Sequence, residues 1–126
     1  MNAFPSEFIS AGLFFLFIFL FGFWLKRAGK PYNAILFNIH KLVGLGALVF
    51  LGITINRINQ ATPLSALEMT ACAVTGLLFI CTIVSGGLVS IDKPMPSAIT
   101  MMHKLFPYLT VLSTAATLYL VLGGGA

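Results

Sequence analysis

Apolar residues fill four long blocks of this chain, and polar residues are gathered in the gaps between them. The blocks cover roughly residues 8–25, 34–55, 67–89 and 99–122. About 20 apolar residues cross the hydrocarbon of a bilayer as helix, so each block predicts one membrane span. The gaps carry helix punctuation. Ser6 predicts a cap for the first helix with Glu7 in its first turn, and Ala28-Gly29 predicts its end. Pro31 predicts the start of the second helix, which runs to about Arg57. The polar link Asn59-Gln60-Ala61-Thr62 follows, and Thr62 before Pro63 predicts the cap of the third helix. Residues 90–96 form the third connection, Ser97 predicts the cap of the fourth helix, and the glycines at 123–125 end it. Short connections make consecutive helices antiparallel neighbours, so the fold predicted is an all-α, integral-membrane, up-down four-helix bundle.

A duplication lies beneath this pattern. The only two histidines stand in identical tripeptides, His40-Lys41-Leu42 and His103-Lys104-Leu105, and a Lys-Pro pair precedes each by ten residues, at Lys30-Pro31 and Lys93-Pro94. Both features repeat at a separation of 63. Upstream, at a separation of 64, Gly12-Leu13-Phe14-Phe15 echoes Gly76-Leu77-Leu78-Phe79, and Gly22 falls on Gly86. The single domain 1–126 therefore divides into two hairpins, about 6–58 and about 63–122. Two spans per copy preserve orientation, which predicts parallel repeats about an axis along the membrane normal. The second and fourth helices then lie diagonally, with their histidines level across the bundle.

Composition supports the bilayer as partner: 59% of residues are hydrophobic and 8% charged, too few charges to cover a soluble domain. The net charge of +4 is not a nucleic-acid footprint, because its placement follows membrane logic. Lys26, Arg27 and Lys30 lie in the first connection, Lys93 beside Asp92 in the third, and Arg57 at the other end. The positive-inside rule predicts the histidine side to be cytoplasmic and both termini outside. No Lys or Arg precedes Lys26, so the first span lacks the basic flank of a secretory signal and is expected to stay. Cys72 and Cys81 are nine residues apart on the third span, which turns them to opposite sides of one helix and argues against a dithiol site.

The histidines carry the candidate chemistry. Ten residues from each Lys-Pro is roughly 15 Å of helix, inside the hydrocarbon, where an ionisable side chain is expensive and marks a functional site by default. Imidazole nitrogens are axial ligands of haem iron, and His40 and His103 together predict one metal centre. Gly44, one turn below His40, would let a flat macrocycle approach, with Ala47 and Leu51 continuing that face; Pro107, Thr110 and Thr114 form the stripe below His103. Lys41 and Lys104 either neutralise the two haem propionates or snorkel to the headgroups. A zinc site would need about four ligands; a copper site using Cys81, a histidine and Met101 or Met102, or a chlorophyll-type pigment, is an alternative. Trp24 and Tyr32 predict an interfacial belt. Tyr108 is a packing contact or a quinone partner, and Glu68 pairs with Arg57 or serves as a proton or quinol ligand.

Four short-looped membrane helices with inward histidines resemble the four-helix b-type cytochromes of electron-transfer membranes. The resemblance spans the chain as architecture, and its specific residues are His40 and His103. It implies haem b held by both histidines and electron exchange with quinone or a partner redox subunit, as part of a quinone-linked oxidoreductase. Members of that family commonly carry four inward histidines and two stacked haems. This chain has two histidines at one depth, which implies a single haem near the cytoplasmic face. The alternative is a small non-catalytic or pigment-binding subunit of a larger membrane complex. A lone haem with a displaceable histidine would also suit gas sensing.

Overall fold

The signals that start and stop these helices are local polar contacts, and they sit slightly apart from where the sequence predicts them. The structure, a computed structural model, describes residues 6–29, 32–91, 94 and 96–124; Lys30-Pro31 and Asp92-Lys93, including the predicted opening of the second helix at Pro31, lie outside the described residues. Helix α1 spans Ser6–Ala28, α2 Ala34–Ala61, α3 Ala66–Val89 and α4 Ser97–Tyr119, and a π-helical turn, Leu120–Gly124, extends α4. Each of the four is long and apolar enough to cross a membrane, and this is a multi-pass integral membrane protein.

Gly29 ends α1 at φ +80 as expected, a left-handed conformation that glycine adopts without steric cost. Asn33 caps α2, its side-chain oxygen accepting from the Ile35 and Leu36 N–H groups at 2.9 and 3.2 Å. At the far end α2 runs on through Asn59-Gln60-Ala61, which the sequence reading placed in the link, and Thr62 closes it. The cap of α3 is Ser65, in place of Thr62. Ser65 Oγ accepts from the Glu68 N–H at 3.2 Å while Glu68 Oε1 accepts from the Ser65 N–H at 2.8 Å. That reciprocal box satisfies two donors the helix start would otherwise orphan. It also engages the Glu68 carboxylate, and no Glu68–Arg57 ion pair forms among the described residues. Ser97 is the first residue of α4, with Pro96 at the cap position and no side-chain cap bond. The fourth helix also passes Gly123 into Gly124, beyond its expected end.

Packing is closest within the two hairpins, α1 on α2 and α3 on α4, and the hairpins meet along α2–α3 and α1–α4. The helices therefore stand in chain order around the bundle, with α2 diagonal to α4. Across the other diagonal Phe15 stacks on Phe79 with ring centroids 5.8 Å apart. These two are equivalent positions of the duplicated sequence, so the repeat meets itself on its own axis, in a contact of about 0.5–1.5 kcal/mol beyond area burial. The core is thin: Ala11, Ala47, Leu51, Phe79 and Leu118 are its buried apolar residues. Outside, large side chains such as Leu16, Ile35, Leu77 and Leu112 are exposed, as suits a surface solvated by lipid tails.

The two hairpins are glued differently. Between α3 and α4, Thr75 Oγ1 meets Ser113 Oγ at 2.6 Å and Thr117 Oγ1 at 2.9 Å, and Thr82 Oγ1 meets Thr110 Oγ1 at 3.1 Å. The equivalent positions between α1 and α2 are Ala11, Phe50, Ile18 and Ala47, so that seam is apolar. Thr54 is the repeat equivalent of Thr117, and with Ala11 where Thr75 stands in the other copy, its buried hydroxyl has no partner. Such hydroxyl contacts contribute about 0.6 kcal/mol each in a bilayer.

Replacing Ser65 with alanine should cost about 1 kcal/mol, while Thr62→Ala should be close to neutral. Thermal unfolding of both variants in one detergent decides it; a larger loss for Thr62→Ala than for Ser65→Ala would place the start of α3 at Thr62.

Candidate functional site

Both histidines are the seventh residue of their helix, counted from Ala34 in α2 and from Ser97 in α4. They therefore lie about 9 Å along the helix from its start, where the Lys-Pro pairs predict roughly 15 Å. The difference follows from the true helix starts, three residues after each proline. Both rings are half-buried. Each is seated against a glycine of its hairpin partner: a Cβ on Gly22 would lie 3.1 Å from His40 Cε1, and one on Gly86 would lie 2.7 Å from His103 Cε1. No ordinary Cβ contact is as short as the second, so Gly86 is glycine because the imidazole occupies the space. Gly22 and Gly86 are repeat equivalents, and the His–Gly seat is built twice.

The polar surroundings of the rings differ. His103 Nδ1 lies 3.2 Å from the Thr82 carbonyl oxygen and 3.2 Å from Ser85 Oγ. A carbonyl only accepts, so this contact requires the proton on Nδ1. Ser85 Oγ donates to the same Thr82 carbonyl at 3.0 Å and so accepts from the ring. With Nδ1 protonated, a neutral ring carries its lone pair on Nε2. In a ligating histidine, the hydrogen bond of one nitrogen fixes the other as ligand in this way. His40 has no such arrangement. The Ile18 carbonyl, equivalent to that of Thr82, lies near the His40 ring, but Nδ1 is buried without a hydrogen-bond partner. Phe21 stands where Ser85 stands in the other copy, so no hydroxyl completes the set.

The remaining predicted residues fall around these two. Beside Gly44, nothing lies within 4 Å of where a Cβ would sit, so the turn below His40 is open. Its counterpart Pro107 sits inside α4; lacking an N–H, it leaves the His103 carbonyl without its helical donor. Ala47 and Leu51, and Thr110 and Thr114, are buried on the histidine stripes. Lys41 is exposed and its ammonium lies 5.5 Å from the Phe37 ring centroid, one turn back toward the helix start. That direction is the snorkelling one. Lys104 is also exposed. Tyr108 is exposed and stacks on Phe19 at 5.2 Å, a packing contact between α1 and α4. Trp24, exposed, stacks on Phe21, and Tyr32 on Phe37.

Thr82, Ser85 and both glycines were absent from the predicted site. Gly22 and Gly86 were visible as a repeat match, and the signal was that glycine recurs at the level of a recurring histidine. Thr82 contributes its backbone carbonyl, which no side-chain pattern reveals. Among the described residues, no three His, Cys, Asp or Glu side chains converge, which leaves a zinc site without a donor set. The chain matches no protein-family model, no curated protein and no solved structure.

Gly86→Ala should destabilise the protein by about 1–3 kcal/mol through overpacking, and Gly22→Ala by clearly less, because its histidine is 0.4 Å further away. Thermal unfolding of the two variants tests the ranking; a reversed order would mean the rings are seated elsewhere.

Proposed function

We propose that this protein binds one haem b between His40 and His103 and passes single electrons through it, to or from quinone or a partner redox subunit. The observation that carries the reading is the twice-built seat: two imidazoles, each the seventh residue of its helix on the diagonal pair α2 and α4, each fitted against a glycine. The fit to haem rests on the ring nitrogens. The Nδ1–H of His103 is held by Thr82 and Ser85, which leaves the Nε2 lone pair as the one that would ligate. The Nδ1 of His40 makes no hydrogen bond, so neither nitrogen of that ring is committed to a protein partner. The open turn at Gly44 leaves room for a macrocycle edge, and Lys41 and Lys104 would hold anionic substituents at the membrane edge.

When bound, haem supplies one-electron redox chemistry. The chain's own residues do the rest. Gly22 and Gly86 orient the rings, and Thr82 and Ser85 hold a proton on Nδ1 of His103. The apolar wall of Phe15 and Phe79 closes the bundle on the side away from the histidine turn and excludes water. The basic residues Lys26 and Arg27 at the histidine end support a cytoplasmic location for the centre, with both termini outside.

The full chain, purified in detergent from haem-replete cells, should give a reduced-minus-oxidised spectrum of a six-coordinate b-type centre. A featureless trace would end the proposal, and a magnesium-pigment spectrum would replace haem by a pigment. His40→Ala and His103→Ala should each lower bound haem by more than roughly tenfold. Full haem content in both single variants is the outcome that rules out shared ligation.

A further inference from the structure

The two histidines occupy equivalent positions of the repeat, but three differences around them favour His103 as a ligand. First, the Nδ1–H of His103 is held by the Thr82 carbonyl and the Ser85 hydroxyl, both at 3.2 Å. At the equivalent positions of α1 stand Ile18 and Phe21, and His40 Nδ1 is buried with no hydrogen bond. Second, the glycine seat of His40 is looser: a Cβ on Gly22 would lie 3.1 Å from His40 Cε1, against 2.7 Å between Gly86 and His103. Third, Gly44, one turn beyond His40, has open space beside it, where the other copy places Pro107.

The hydrogen bond on the far nitrogen governs how well an imidazole ligates. An acceptor there raises the basicity of the ligating nitrogen and fixes the ring plane, and losing such a partner lowers metal affinity by about 10–100-fold. His103 has two acceptors. In His40, Nδ1 is enclosed, so Nε2 is the nitrogen left to meet a metal; the proton then sits on Nδ1, buried and unpaired. The bond from His40 is therefore the weaker of the two, and the weaker ligand yields to a competitor. We propose that His103 is the permanent ligand of the haem centre and His40 the replaceable one. The reduced centre thus takes up a small neutral molecule of the carbon monoxide class in place of His40, where the open turn at Gly44 leaves room. This inference rests on the haem reading and adds to it a second ligand and the histidine that makes way for it.

The full chain, purified in detergent from haem-replete cells and reduced with dithionite, is titrated with carbon monoxide, and the difference spectrum is read per haem. Saturable uptake is expected. His40→Ala should bind carbon monoxide roughly tenfold more tightly, because no internal ligand competes, and His103→Ala should not. Phe21→Ser, which copies Ser85 into the first hairpin, should weaken uptake about tenfold by giving His40 Nδ1 an acceptor. A haem-loaded chain whose reduced form ignores carbon monoxide overturns this inference and leaves the haem reading standing. Tightening by His103→Ala in place of His40→Ala also overturns it. A chain that carries no haem overturns both.

Discussion

Water is absent from the hydrocarbon of a bilayer, so a ring nitrogen carried into it must find both room and a hydrogen-bond partner on a neighbouring helix. In this bundle, the room comes from glycine. Gly22 and Gly86 remove the side chain that would otherwise fill the space taken by His40 and His103, and each does so from the hairpin partner of the histidine's own helix. The close packing of α1 on α2 and of α3 on α4 is thus coupled to the histidines, because the seat exists only while the helices of a hairpin stay in register.

The two copies satisfy the same constraint unequally. In the second, a carbonyl and a hydroxyl meet His103, and a ladder of threonines and Ser113 ties α3 to α4. In the first, the corresponding positions hold Ala11, Ile18, Phe21 and Phe50, and both His40 Nδ1 and the Thr54 hydroxyl are left alone. An unpartnered group in a low-dielectric interior is costly. Each hairpin carries an unpartnered hydroxyl, Thr54 in the first and Thr114 in the second, but only the second holds its histidine ring by hydrogen bonds. Where the hairpins meet, the contact is aromatic: Phe15 on Phe79, the repeat touching its own copy.

Much of the fold was legible because a bilayer leaves few choices. Four apolar blocks of spanning length force four helices, and short gaps force them to alternate in direction. The helix ends were less legible, since several polar residues in one gap compete for the cap. Ser65 prevails over Thr62 because Glu68 stands three residues after it and can close the box. Asn33 caps α2 through two N–H groups, and that start, together with Pro96 before α4, brings both histidines nearer their helix starts by the same amount.

The chain by itself determined the class of fold, the duplication, and that the two imidazoles take the same place in their helices, because these depend on hydrophobic length and on spacing along a helix. Tertiary structure decided which side of each ring is held and which is left bare. Those outcomes depend on a backbone carbonyl at Thr82, on empty space beside Gly86, and on a threonine whose partner across the bundle is missing. Such features belong to the approach of one helix to another, and a linear pattern of residue types carries no record of that approach.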